Sequence, residues 1–382
     1  MACNYDVVII GGGVSGLLAA QKLSELGLNV ALVEKYTTLA SGPSTRNEGW
    51  LHRGTYHSVS IRNPETAIEV ARRCIYGHKQ IRSFAPEAIE CDQAPLALLH
   101  DEHYLPEVLS RWETAEVRYR RLSHAEASRI IPDASFDRAA AIFQVGEASI
   151  NTRILYQKIL SRARVAGCVF YLGQEITSIE GNLLTCVGTD GATLKLKADK
   201  FVYAAGTGVK DLFNQFHNVD LPVRYWKSHL IITKRLAHAG VFYLDAMEAA
   251  MMHHGDVTIV GFNEDAVLSE EPSYNVIARN IANVEDGLRR IFPSWRDENA
   301  KNIACVKVDL ASNADADRSL NIAISEPVPD HIIILPGKMT EAPYLVDGLI
   351  THMYSRSHSS EIALRPCDNF LDENRRALVD AD

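Results

Sequence analysis

The sequence predicts an α/β protein in which a Rossmann-like dinucleotide-binding domain, built from discontinuous segments, accompanies an α+β domain with a largely antiparallel sheet. Three observations carry this expectation. Residues 7–35, VVIIGGGVSGLLAAQKLSELGLNVALVEK, spell a strand, a glycine turn, a helix, a second strand and an acid. Apolar strands of the buried parallel type recur near 7, 30, 168, 201 and 332. Between them, 224–233, 257–262 and 305–310 read as strands of a second sheet. Segments 1–85, 146–216 and 305–382 are accordingly assigned to the nucleotide domain, and 86–145 and 217–304 to the second.

The first unit explains itself residue by residue. Val7 to Ile10 is a short β-branched run suited to a strand covered on both faces. Gly11 permits the tight turn, Gly13 leaves the backbone open to a pyrophosphate, and Gly16 lets the helix pack closely on the strand. The helix, 14–26, begins at Val14 and Ser15 and turns its amides and positive dipole end toward the phosphates, and Gly27 ends it. Glu34 follows Gly13 by 21 positions, at the end of the second strand, where a carboxylate accepts hydrogen bonds from a ribose, and Lys35 comes next. An acid there repels a 2′-phosphate, which counts against NADP. The plainer reading is a glycine turn without a ligand, and the register of strand, helix, second strand and acid argues against it.

Further along, 64–84 reads as a helix opened by Pro64 and Glu65, 96–99 as a short apolar strand, and 106–114 and 125–131 as helices. Residues 139–145 read as a strand, 151–166 as a helix with Ile154, Leu155, Ile159 and Leu160 on one face, and 168–172 as a strand. A hairpin follows, LLTCV and ATLKLKA around Gly188-Thr189-Asp190-Gly191, and then a separate buried strand at 201–205. A long helix is expected over 274–291, a strand at 332–335, and a last helix from the PGKMT turn to about Tyr354. The polar final residues, from 371, are expected to fray.

Composition sets limits on function. A chain of 382 residues is long for one core, so about two domains are expected on a scale of ~150 residues each. The net charge of −9 and the lack of a basic stripe count against a nucleic-acid partner. Seven scattered cysteines, none in C-x-x-C spacing, suit reduced thiols and not a thiolate metal site. The chain enters its first strand within a few residues and has no run of ~18 apolar residues, so a cytoplasmic protein without a leader or transmembrane segment is expected, with peripheral membrane attachment left open.

Four segments in order, the N-terminal unit, SGPSTRNEGWLHRGTYH at 41–57, FVYAAGTG at 201–208 and PGKMT at 336–340, together resemble flavin oxidoreductases of the D-amino-acid oxidase superfamily. RNEGWLHRGTY is similar to the loop of L-2-hydroxyglutarate dehydrogenases and oxidases, and Gly337-Lys338-Met339-Thr340 to a segment of FAD-dependent glycerol-3-phosphate dehydrogenases. The chain departs from the family where an arginine often precedes the last strands: CVKV at 305–308 offers Lys307, a point charge in place of a bidentate fork.

The resemblance implies FAD as cofactor and a small-molecule substrate, with oxygen, a quinone or a carrier protein as electron acceptor. It implies that Ser44, Thr45, Arg46, Asn47 and Gly49 run beneath the isoalloxazine and pyrophosphate, that Ile176 meets the adenine through its backbone, and that Ala205 and Gly206 complete the cradle. A helix opening near Thr340, with Lys338 beside it, would favour an anionic reduced flavin. The chemistry implied is oxidation of a 2-hydroxy acid or polyol phosphate by hydride transfer to flavin N5. The alternatives are amine or amino-acid oxidation, an NAD-only dehydrogenase, which gives 201–208 and 336–340 no role, and a non-catalytic flavin-binding subunit.

His52 is the candidate base, since a histidine's ordinary pKa near 6.5 suits proton abstraction from an alcohol. Two other readings stand beside it: a histidine that serves only the loop backbone, and a covalent anchor for the flavin. Candidates for holding a substrate anion are Arg53, Arg224, Lys227, Lys307 and Arg318, with Tyr56 and His229 as hydrogen-bonding neighbours, each weighed against a solvated surface charge. Alternation along 224–229 puts Arg224, Trp226 and Ser228 on one face and Tyr225, Lys227 and His229 on the other, so one set can face the site. His253-His254 reads as structural and not as a metal pair, because adjacent strand residues diverge. The acidic stretch 309–317 reads as a polar loop and Arg72-Arg73 as a solvated helix face.

Overall fold

The computed structural model describes residues 2–90, 93–245, 248–262, 267–269, 271–310, 320 and 322–357. Arg318, residues 311–317 of the acidic stretch and the polar C-terminal residues lie outside the described residues.

The first sheet runs in the order Ala323–Val328, His331–Leu335, Thr193–Tyr203, Cys3–Ile10, Val30–Glu34, Val169–Leu172. Its centre is parallel, with Val8 opposite both Phe201 and Ala31, and Val202 opposite Ile332. Side chains alternate between two buried faces. Val7, Ile9, Leu32, Val202 and Ile334 pack under helices Val14–Glu25, Thr152–Val165 and Ala342–Ser357 through Leu17, Leu155, Ile159 and Leu345. Val8, Ile10, Ala31, Phe201 and Ile333 meet Leu184, Cys186, Leu196 and Phe213 on the other side. A fully buried aliphatic side chain of this kind contributes about 1.5–3 kcal/mol.

The hairpin departs from the expectation of two separate strands. Thr193–Tyr203 is one continuous strand, antiparallel to Leu183–Gly188 over its first half and parallel to Cys3–Ile10 from Leu196 onward. A further strand, Gln174–Glu180, completes a three-stranded flap that carries Ile176 to the end of the second strand.

Val223–Lys234 organises the second sheet. It pairs along its length with Lys301–Leu310, from Val223 opposite Leu310 to Ile232 opposite Lys301, and on its other side with Val257–Phe262 and Val267–Ser269. The sheet continues through Ala249–His254, Val241–Tyr243, Leu96–Leu99 and Ala141–Val145 to Tyr119–Leu122, antiparallel except where Val241–Tyr243 meets Leu96–Leu99. Residues 305–310 therefore belong to the second sheet, as their strand pattern predicts. The expected helix over 274–291 starts only at Ala278, and Tyr274 in the irregular stretch before it lines the main cavity. Arg73, read as solvated, is buried: its Nε donates to Glu341 Oε1 at 2.7 Å.

A two-stranded ribbon joins the sheets. Trp50–Leu51 pairs with Ala148–Ser149 and holds the 41–57 loop between them. Asn63 then starts helix Pro64–Phe84 by accepting a hydrogen bond from the Thr66 amide at 2.9 Å. Among the described residues no helix is long and apolar enough to cross a membrane.

Candidate active site

A cavity of about 1520 Å³ runs from the carboxyl ends of the first sheet's central strands to the second sheet. Open α/β sheets bind ligands at that edge. Its nucleotide end is shaped by absent side chains. Gly11 has φ +106°, and a Cβ there would lie 2.6 Å from the Ala204 carbonyl oxygen. A Cβ on Gly16 would lie 2.0 Å from the Gly11 oxygen, so this glycine serves helix–strand packing and does not itself line the cavity. A Cβ on Gly13 would meet only Ser44 Oγ, at 3.2 Å, leaving open the space above it. Glu34 accepts hydrogen bonds from the Gly12 amide at 2.7 Å and the Tyr36 amide at 2.9 Å, which fixes its carboxylate on the wall.

Val14, Ser15, Lys35, Ile176, Ala205 and Gly206 line this end as well. The Val14 amide donates to Ser44 Oγ at 3.0 Å, tying the helix start to the 41–57 loop. That loop braces itself. Asn47 Nδ2 donates to the carbonyls of Pro43 and Ser44, its Oδ1 accepts from the Gly49 amide, and Thr45 Oγ1 donates to Ala40 O. Ser44, Arg46 and Asn47 line the cavity, whereas Thr45 and Gly49 lie outside it and shape the loop. Gly49 has φ +72°, and a Cβ there would sit 2.2 Å from His254 Cε1. Gly337, Lys338 and Met339 line the far wall; Thr340 is buried behind it, its Oγ1 accepting from the His52 amide at 3.1 Å.

The end nearer the second sheet carries the titratable groups. His52 lies on the wall, stacked at 6.1 Å on Trp50, with Nδ1 3.5 Å from Glu147 Oε2. Glu147 is buried and also accepts from the amides of Arg53 at 2.6 Å and Thr55 at 2.9 Å. Burial pushes its carboxyl up, but His52 and the two amides outweigh burial and hold it below the usual carboxylate range. Glu48 lines the same end: burial opposes its ionisation, and Lys307 and then Lys338 pull it below the usual range. Sequence reasoning missed both acids. The only signal for Glu147 was an acid after the strand and glycine of QVGEAS.

The choice left open along 224–229 resolves toward Trp226 and Ser228, which line the cavity with Lys307 and Tyr56. His229 is on the opposite face, buried, its Nε2 accepting from the Ile277 amide at 3.0 Å, and Lys227 Nζ there reaches Ser273 Oγ at 3.2 Å. Neither residue lines the cavity. Arg224 shares the face of Trp226 but is buried at the strand's start, 5.6 Å over the Trp226 ring and away from the cavity wall. Arg53 folds over Gly146 instead of entering the cavity. His253 and His254 diverge, His253 toward Thr258 and Ala239 O, His254 toward Glu90 and the Glu48 carbonyl.

A family model described as FAD dependent oxidoreductase, DAO, matches residues 6–321. The chain belongs to the DAO family of FAD-dependent oxidoreductases. It is thus an enzyme with FAD as its cofactor, and the glycine-lined nucleotide end fits that group: the space over Gly13 is open where a phosphate must approach. The DAO-family chain is 27% identical over 211 residues to one subunit of the anaerobic glycerol-3-phosphate dehydrogenase of Escherichia coli (strain K12), a match covering 53% of this chain and 38% of that polypeptide. The match thus spans little more than a third of that relative's length. Its fold is similar to the dithionite-reduced, FAD-bound L-α-glycerophosphate oxidase of Mycoplasma pneumoniae, with a TM-score of 0.74 at 20% identity, covering 91% of this chain and 94% of that one. It is also similar to glycine oxidase from Geobacillus kaustophilus, TM-score 0.70 at 18% identity, covering 95% and 96%.

Proposed function

We propose that this oxidoreductase oxidises a small anionic secondary alcohol, a polyol phosphate or 2-hydroxy acid. The observation that carries the reading is His52 beside the buried carboxylate of Glu147, on the wall of a cavity that also presents Lys307 and Lys338. Bound FAD supplies the hydride acceptor. Gly11, Gly13, Val14, Ser15 and Glu34 would hold its nucleotide half; Ser44, Arg46, Asn47, Ala205 and Lys338 would hold the remainder.

Glu147 accepts the Nδ1 proton of His52, and that selects the tautomer whose Nε2 is free to take the proton of a substrate hydroxyl. Lys307 receives the substrate's anionic group as a point charge. Trp50, Tyr56 and Phe242 line this end of the cavity as an aromatic cluster packed edge-to-face. The glycerol-3-phosphate and glycerophosphate enzymes among the relatives support a polyol phosphate. Glu48 favours a second reading, an amine substrate whose ammonium pairs with that carboxylate, and the glycine oxidase likeness agrees with it. We also propose that the two sheets mark two domains, with the boundary moved past residue 310.

Anaerobic addition of glycerol 3-phosphate, 2-hydroxy acids and amino acids to the purified protein tests this. Bleaching of the flavin bands by the first two supports the proposal; bleaching by amino compounds alone, with ammonia released, replaces it by the second reading. Mixing the reduced protein with oxygen or a quinone then identifies the acceptor.

A further inference from the structure

His254 ends the strand Ala249–His254, with its ring directly under Gly49. Nε2 is 2.8 Å from the Glu48 carbonyl oxygen and Nδ1 is 2.8 Å from Glu90 Oε2. Ser149 Oγ also approaches Nδ1, at 3.2 Å, but donates its own proton to the His253 carbonyl at 2.6 Å, so it offers the ring only a lone pair. Each of these three partners of the ring is therefore an acceptor. A neutral imidazole donates once and leaves one of these contacts as two facing lone pairs; an imidazolium donates twice and satisfies both nitrogens.

We propose that His254 is a positioning residue, doubly protonated and anchored by Glu90, that fixes the Glu48–Gly49 segment of the cavity wall. The anchor is itself held, since Glu90 Oε1 accepts from Asn151 Nδ2 at 3.0 Å. The adjacent His253 is neutral, since burial pushes its imidazole down to about 4. Gly49 is a glycine here because any Cβ would displace this ring, at 2.2 Å from Cε1 and 2.4 Å from Nε2. When the cation loses a proton, Nδ1–H stays with the carboxylate, the stronger acceptor, and the bond to the Glu48 carbonyl is the one that breaks. Glu48 then loses the brace behind it, beside Lys307.

The test uses the FAD-loaded protein and reads the ring directly, so it does not depend on the substrate reading. Nitrogen NMR of the imidazoles at neutral pH, with His254→Gln supplying the assignment, should show two protonated nitrogens for His254. In Glu90→Gln the second proton should be lost at lower pH, and the alkaline weakening of FAD binding, followed by flavin fluorescence, should begin at correspondingly lower pH. A loss of about tenfold in FAD affinity is expected on breaking the brace. His254→Gln, which keeps one donor, should fold and bind FAD with little pH dependence over the same range. A single-proton tautomer at neutral pH, or a Glu90→Gln profile that coincides with the parent's, would overturn the proposal.

Discussion

Arg53 and Thr55 converge on one carboxylate: their amides both donate to Glu147, at 2.6 and 2.9 Å, and the turn this creates sets His52 at 3.5 Å from the same acid. The acid arrives from 94 residues away and organises the backbone of the loop as well as the His52 side chain on the cavity wall.

Glu147→Gln keeps the shape of that contact and removes its charge. The amide can still accept from one backbone N–H but no longer fixes the His52 tautomer. We expect kcat to fall by on the order of 10²-fold with FAD retained, against a smaller effect on KM. Stopped-flow reduction of the bound flavin measures this, and an unchanged reduction rate would remove Glu147 from the mechanism.

Gly13 and Gly16 separate cofactor binding from folding. Gly16→Ala drives a methyl to 2.0 Å from a backbone oxygen and should cost about 1–3 kcal/mol or more of stability. Gly13→Ala meets only Ser44 Oγ at 3.2 Å, so the apoprotein should melt close to the parent while FAD binding is lost. Differential scanning fluorimetry with and without FAD distinguishes them; equal melting losses for both would contradict the assignment.

Lys307→Met should raise KM for an anionic substrate about tenfold or more and leave FAD content unchanged. It should also move the Glu48 carboxyl upward, since Lys307 is the cation that lowers it most. Steady-state kinetics with a polyol phosphate and an uncharged polyol provides the check: a KM increase shared equally by both would argue against anion binding.

Two buried histidines should make the fold sensitive to mild acid. Burial pushes His253 and His331 down to about 4, the second helped by its neighbour His217. An unfolded chain takes up these protons near pH 6.5, the folded one only near 4, so stability falls as pH drops between those limits. Each histidine contributes a slope of at most about 1.4 kcal/mol per pH unit there. Glu147 and Glu48, both depressed, add losses at lower pH still. Melting temperatures from pH 8 to 4 should show the decline, and His253→Asn with His331→Asn should flatten it; a parent profile level down to pH 4.5 would contradict the argument.

Local features were legible in the sequence. The turn at 11–16, the helix after it and the acid at Glu34 depend on neighbours in the chain, and so does the self-braced loop of Ser44 and Asn47. What alternation could not supply was the choice of face along Val223–Lys234, because every residue from Val223 to Ile231 is buried and no exposed side marks the solvent. The strand Thr193–Tyr203 reads as two because its first half alternates with exposed lysines and its second is covered on both faces. Glu147 escaped notice because a single acid between apolar residues gives no sign of the distant amides it will accept.

The order of the first sheet has a consequence during synthesis. Its central strand, Cys3–Ile10, is made well before its neighbour Thr193–Tyr203 and before the strand beyond that, His331–Leu335. Until then, the apolar run Val7 to Ile10 has one unpaired edge, open to non-native strand pairing. Capture of the flavin can therefore only be a late event, waiting on the turn at 336–340 that closes the cradle.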